Sequence, residues 1–157
     1  MGSVSIPVRL SLPESSAVAL TKAADDMADA GDSQHFVAAL SANHRLWRAL
    51  SEIASAKGWA FPDRRTAEFV VKTTHKAGRR TGDDQIETLI AINREMAAQL
   101  AGNQDLELVT RRAELAWRER GRPYGVKLDH WLINEMERKA RLRHGVDGLS
   151  GLSTFSA

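Results

Sequence analysis

Cysteine is absent from this chain of 157 residues, which excludes disulfides, thiolate metal sites and thiol nucleophiles. Tyrosine occurs once and aromatic residues together make up 6%, so each aromatic carries information by its position. No apolar run approaches the ~18–20 residues needed to cross a membrane. The stretch from Ser3 to Leu12 is short, mixed and broken by Pro7, unlike a secretory signal. A cytoplasmic protein with no membrane partner is expected. Charge of one sign is also scarce, at a net +2, too little by itself to imply a nucleic-acid partner. The remaining composition, 43% hydrophobic and 27% charged, is that of an ordinary soluble domain, alone or with a small appendage.

What is present is helical periodicity. Phe36, Ala39, Leu40, Asn43, Leu46, Trp47 and Leu50, continued by Ile53 and Ala54, step by three and four residues. So do Ile86, Leu89, Ile90, Asn93, Met96, Ala97 and Leu100. Each set shares one side of a helix, and each carries an asparagine at its centre. A buried amide without partners costs roughly 1–3 kcal/mol. Two matching polar interruptions therefore predict a bundle whose register those amides fix.

Six helices account for nearly the whole chain. The first runs from about Glu14 to Ala30, with Ser11 as N-cap, Pro13 in the first turn and a weak stripe of Ala17, Leu20, Ala24 and Met27. Asp32 or Ser33 caps the second, which stops at Lys57-Gly58. Trp59-Ala60-Phe61-Pro62 is an aromatic connector to a third helix holding Ala67, Phe69, Val70, Thr73 and Ala77. After Gly78-Arg79-Arg80-Thr81-Gly82 the fourth starts near Asp83 and ends at Gly102. Ala101 to Gln104 reads as a boundary, dividing a unit over 14–102 from a basic helical hairpin over 105–144. The hairpin's first helix sets Leu106, Val109, Ala113, Ala116 and Trp117 on one side, and its second carries Leu128, Trp131, Leu132, Glu135, Met136 and Ala140. Residues 1–12 and the Gly/Ser-rich 145–157 read as flexible tails.

No catalytic set emerges. The five histidines are scattered without an i,i+4 pair; Asp25, Asp26 and Asp29 read as a solvated helix face; the glycines form no phosphate-binding loop; and no nucleophile–base arrangement is present. Neither an enzyme nor a cofactor is expected. Arg79 and Arg80 could touch phosphate but read more simply as a solvated turn. The aromatics Trp47, Trp59, Phe61 and Phe69 crowd one third of the chain around a single connector. Core packing explains Trp47, whereas Trp59 and Phe61 flank a loop and suit a groove for a partner helix.

The run Ala39-Leu40-Ser41-Ala42-Asn43-His44-Arg45-Leu46-Trp47-Arg48-Ala49-Leu50 resembles the A-L-x-x-N-x-x-L-W-x-x-L signature of the bacterial FlaF family. Phe61-Pro62 stands where that family has Leu-Pro, and Leu89-Ile90-Ala91-Ile92-Asn93-Arg94 resembles its L-I-x-I-N-R motif. The resemblance spans about 14–102. It implies an all-α, four-helix FlaF-like bundle that binds flagellin and keeps it export-competent, with Leu46, Trp47, Trp59, Phe61 and Phe69 at the client groove. Asn43, Leu50, Leu89, Ile90, Asn93 and Arg94 would then maintain the bundle. Over about 109–140, Trp117, Gly121, Arg122, Pro123 and Trp131 are similar to a short bacterial domain of unknown function. Gly121 and Pro123 suit a chain reversal across which the two tryptophans pack.

A rival reading follows from charge. Between Arg111 and Arg143 ten Lys and Arg face five acids. Arg111, Arg112, Arg118, Arg120 and Arg122 could serve a nucleic-acid-binding regulator, or the hairpin could dock another protein.

Overall fold

The first helix begins where its sequence supplies partners for its own free N–H groups. Ser11 Oγ accepts from the Glu14 N–H at 3.2 Å, and Glu14 Oε1 accepts from the Ser11 N–H at 2.9 Å. This reciprocal cap, worth about 1 kcal/mol, opens α1 (Leu12–Asp29). Burial raises the Glu14 carboxyl, but the Ser11 hydrogen bonds and the Arg112 guanidinium outweigh it and hold the group below the usual range. Asp32 caps α2 (Ser33–Lys57) by accepting from the His35 N–H at 2.8 Å. Asp63 receives the Thr66 N–H at 3.3 Å before α3 (Arg64–His75), so Pro62 precedes the helix by two residues. Asp83 and Asp84 lie in the first turn of α4 (Asp83–Ala101), where the helix dipole favours negative charge. Asp105 caps α5 (Leu106–Arg120), a 3₁₀ turn follows at Arg122–Tyr124, and α6 is Leu128–Phe155.

The computed structural model describes residues 9–75 and 82–155, with side chains to residue 141. Among the described residues there is no strand, and the protein is all-α. The Gly78–Thr81 turn lies outside the described residues. Helical backbone extends to Phe155, past Gly145, where composition suggests a tail.

At the centre stands α1. Ser16, Ala17, Val18, Ala19 and Leu20 are five consecutive buried residues, joined by Ala23, Ala24 and Met27. A helix buried this far around needs neighbours on several sides. It has them: α1 packs most extensively on α4 and also on α2, α6 and α5. The alanines let those helices come close. The one buried hydroxyl in the run, Ser16 Oγ, donates to the Leu12 carbonyl at 2.8 Å.

One apolar cluster joins α1, α2 and α4 to Val109 and Ala113 of α5 and to Leu132, Ile133, Met136 and Ala140 of α6. The expected appended hairpin is therefore corrected in its packing. α6 lies on α2 and α1, and its contact with α5 is slight by comparison. Arg45 of α2 pins α6 in place, donating to Asn134 Oδ1 at 3.0 Å and to Glu137 Oε2 at 3.1 Å. The N-terminal boundary moves as well. Leu10 and Leu12 pack on the core, and Arg112 donates to the Arg9 carbonyl at 2.7 Å and to Glu14 at 2.7 Å. Residues 9–12 thus belong to the folded body.

The reversal after α5 depends on close approach. A Cβ on Gly121 would stand 2.7 Å from a Trp117 ring carbon and 2.8 Å from two of Trp131. Trp117 Nε1–H donates to the Val126 carbonyl at 2.6 Å, which fixes that indole. Trp117, so anchored, and Trp131, packed against the core, cannot withdraw cheaply. Gly121→Ala should lower the urea-unfolding free energy by about 1–3 kcal/mol, whereas Gly31→Ala, with nothing near its added Cβ, should stay within about 0.5 kcal/mol.

Candidate functional site

Three buried side chains organise the middle of the bundle. Trp47 Nε1–H donates to Asn93 Oδ1 at 2.9 Å. The Asn93 amide nitrogen donates to Asn43 Oδ1 at 2.7 Å and to the Leu20 carbonyl at 3.2 Å. Asn43, Trp47 and Asn93 are all fully buried. The asparagines of the two stripes thus meet, and Asn93 links α2 to α4 through side chains while holding the α1 backbone. Asn43 Nδ2 has no hydrogen-bond partner. Leu50 and Leu89 are buried beside this network and Ile90 is half-buried. Arg94, facing outward, pairs with Asp25 at 3.5 Å.

This arrangement corrects the expected client groove. Leu46 and Trp47 have no exposed surface, because the indole N–H finds its acceptor inside the bundle. Neither can touch a partner. Phe69, by contrast, is open to solvent: α3 buries Ala67, Val70 and Thr74, which turns Phe69 outward.

The surface that remains open is built on the connector and α3. Gly58 takes a left-handed conformation (φ 66°) and its N–H closes α2 on the Ala54 and Ser55 carbonyls. Glycine adopts this geometry without a Cβ clash. The Trp59 N–H also bonds the Ala54 carbonyl, at 2.9 Å, and its ring packs against the core at half burial. The chain then turns through a cis Phe61–Pro62 peptide with Pro62 buried. Phe61 and Phe69 are each 42% exposed. They line a cleft of about 610 Å³ with Ala60, Ile92 and Met96, rimmed by Asp63, Arg65 and Glu95. Behind α3 a second cleft, of about 1160 Å³, is lined by Trp59, Pro62, Ala67 and Val71 together with Arg48 and Lys72. Aromatic and aliphatic side chains thus face solvent on both sides of one short helix.

α3 rests chiefly on α2. Near its C-terminal end, His44 Nδ1 and Thr74 Oγ1 are 3.0 Å apart, and the His44 and His75 rings lie 5.6 Å apart. Burial, the nearby Arg48 charge and His75 hold His44 below the ordinary histidine value.

The acidic face of α1 contains a contact that spacing alone does not reveal. Asp26 meets Asp129 of α6. Burial, the hydrogen bond to Asp129 and the charges of Asp129 and Asp25 push the Asp26 carboxyl up to about 7. Asp129 keeps its charge: burial raises it, but the hydrogen bond from Asp26 and the neighbouring His130 bring it below its ordinary value. Among the described residues no group of three or more His, Asp or Glu could hold a metal ion, and no helix is long and apolar enough to cross a membrane. Of the basic residues, Arg112 is engaged by Glu14 and Arg9, Arg111 pairs with Glu107 at 3.2 Å, and Arg122 lies over the Trp117 ring at 5.9 Å.

Fold and site define an all-α protein with an internal amide network and an open aromatic surface. The family model described as flagellar protein FlaF matches residues 11–100, more than half of the chain. The protein belongs to the FlaF family and is a flagellar protein. No curated protein and no solved structure matches it. The family match ends before α5, so the resemblance over 109–140 lies outside it.

Two measurements check this geometry. Asn93→Leu keeps the volume but strands the Trp47 N–H and removes the donor to Asn43, so unfolding free energy should fall by roughly 2–5 kcal/mol; an unchanged urea midpoint would refute the network. The Asp26 carboxyl is raised above its unfolded value of about 3.9. Its protonated form adds stability that is complete below that value and is lost as pH rises through about 7. Asp26→Asn should therefore raise the melting temperature at pH 8 relative to the parent, with the difference shrinking toward pH 4.

Proposed function

We propose that this flagellar protein is a flagellin-binding secretion chaperone. It acts in the cytoplasm before export, covering the amphipathic terminal helices of flagellin until assembly. The observation that carries the reading is the pair Phe61 and Phe69, each 42% exposed on one cleft. Family membership supplies the flagellar context. An amphipathic helix laid along the cleft would cover both rings together with Ile92 and Met96. Asp63, Arg65 and Glu95 at the rim would orient it without adding much affinity. In this reading Leu46, Trp47, Asn43 and Asn93 act from inside, by holding α2 and α4 in register beneath the cleft, and the client meets Phe61 and Phe69, while Trp59 opens on the second cleft behind α3. Nucleic-acid binding through the arginines of α5 is the weaker reading, because Arg112 is committed to Glu14 and Arg9.

Titration of purified flagellin into the full chain, followed calorimetrically, tests the proposal. A complex at micromolar concentration is expected. Phe61→Asp with Phe69→Asp should weaken it at least tenfold, about 1.4 kcal/mol or more, with no loss of thermal stability. Absence of any complex with well-folded protein would overturn the proposal.

A further inference from the structure

α3 is fastened to the bundle unevenly. Its buried side chains are Ala67, Val70 and Thr74, with Val71 packing on the core only in part. Apolar contact thus holds the first turns, and a hydroxyl at 1% exposure holds the last. A hydroxyl has one proton to give. The Val70 carbonyl, 2.7 Å from Thr74 Oγ1, has none of its own, so the Thr74 proton lies between those two oxygens. Toward His44, whose Nδ1 is 3.0 Å away, Thr74 Oγ1 can therefore only accept. This fixes the Nδ1–H tautomer of His44 and makes its imidazole the donor that ties the end of α3 to α2.

A charge on this ring is opposed from both helices. His44 is half-buried, Arg48 stands one turn further along α2, and the His75 ring of α3 lies 5.6 Å away. Burial first, then Arg48 and His75, disfavour the imidazolium. The Val71 carbonyl favours it and is outweighed. Among the described residues no carboxylate balances the ring, and neither α1 nor α6, which also pack on α2, brings a charged group to it.

We propose that His44 and Thr74 form a pH-sensitive clasp: the neutral imidazole fastens the last turns of α3 to α2, and its protonation in mildly acidic solution releases them. The contribution of the neutral ring is complete above the unfolded histidine value of about 6.5. It is lost as pH falls from there through the lower value that the fold imposes. Release strands no donor, because Thr74 keeps its bond to Val70 and the imidazolium gains water. α2 is the fixed side of the clasp, joined to α4 through Asn43 and Asn93 and to α6 through Arg45. α3 rests chiefly on α2, so α3 is the element that moves. Phe69 travels with it. A consequence for client binding rests on the chaperone reading, whereas the clasp does not, and its test contains no client.

Hydrogen exchange of the full chain at pH 7.5 and pH 5.5, corrected for the intrinsic pH dependence of amide exchange, reads the clasp directly. Protection of residues 70–75 should fall by about threefold or more on acidification. His44→Asn retains a donor and removes the titration, so protection there should be equal at the two pH values. Thr74→Val keeps the shape and removes the acceptor, and its residues 70–75 should be as weakly protected at pH 7.5 as the parent's are at pH 5.5. Asp26→Asn should retain the parent's response in α3, which separates the clasp from the titration between α1 and α6. Equal protection of 70–75 in the parent at both pH values overturns the proposal. So does a fall of the parent's size in His44→Asn, or a nitrogen NMR spectrum at pH 7.5 that places the His44 proton on Nε2.

Discussion

Placing an indole N–H in the dry interior of a helical bundle obliges the chain to deliver an acceptor to it. Asn93 does so for Trp47 at 2.9 Å, and the amide nitrogen that comes with that oxygen then needs acceptors of its own. Asn43 and the Leu20 carbonyl provide them. Purely apolar stripes on α2 and α4 could slide past one another by a turn with modest loss. The amide network allows one register, because a shift of α4 would strand polar groups that have no water to turn to. Positioning of α2 follows from this, and with it the connector and α3, which rests chiefly on α2. The exposed aromatic surface is located by hydrogen bonds it does not share.

Much of this was legible in the residues. Ser11 and Asp32 announce helix starts because their side chains can accept a backbone N–H, and each does. The two stripes and their central amides carry periodicity strong enough to place nearly every buried residue of α2 and α4. The role of α1 was not legible. Alanine contributes little contrast between faces, so a helix buried almost all round by small side chains reads as a weakly amphipathic surface helix. Its central place emerges only from its neighbours.

The apparent boundary at Ala101–Gln104 misled for a related reason. Gly102 and Asn103 mark the end of a helix, but a helix end does not mark the end of a core. Val109 and Met136 join the same interior as Leu20 and Leu89. Within the site, sequence position crowds Trp47 with Trp59, Phe61 and Phe69, and only the helix phase separates them. Trp47 turns inward to its amide acceptor. Phe69 turns outward because Val70 and Thr74 occupy the buried side of α3. The Asp26–Asp129 contact joins residues about a hundred positions apart and left no periodic trace.

The central position of α1 bears on how the protein comes into being on the ribosome. Its residues are made before those of the other five helices, yet its most extensive packing is with a helix some seventy residues later, and α5 and α6 follow later still. Until those segments emerge, Val18, Leu20 and Met27 have only α2 to cover them. Local pairing of neighbouring helices, which lets many bundles assemble quickly, cannot complete this interior. The nascent chain therefore carries an incomplete hydrophobic centre, and closes it only when its last described helix arrives.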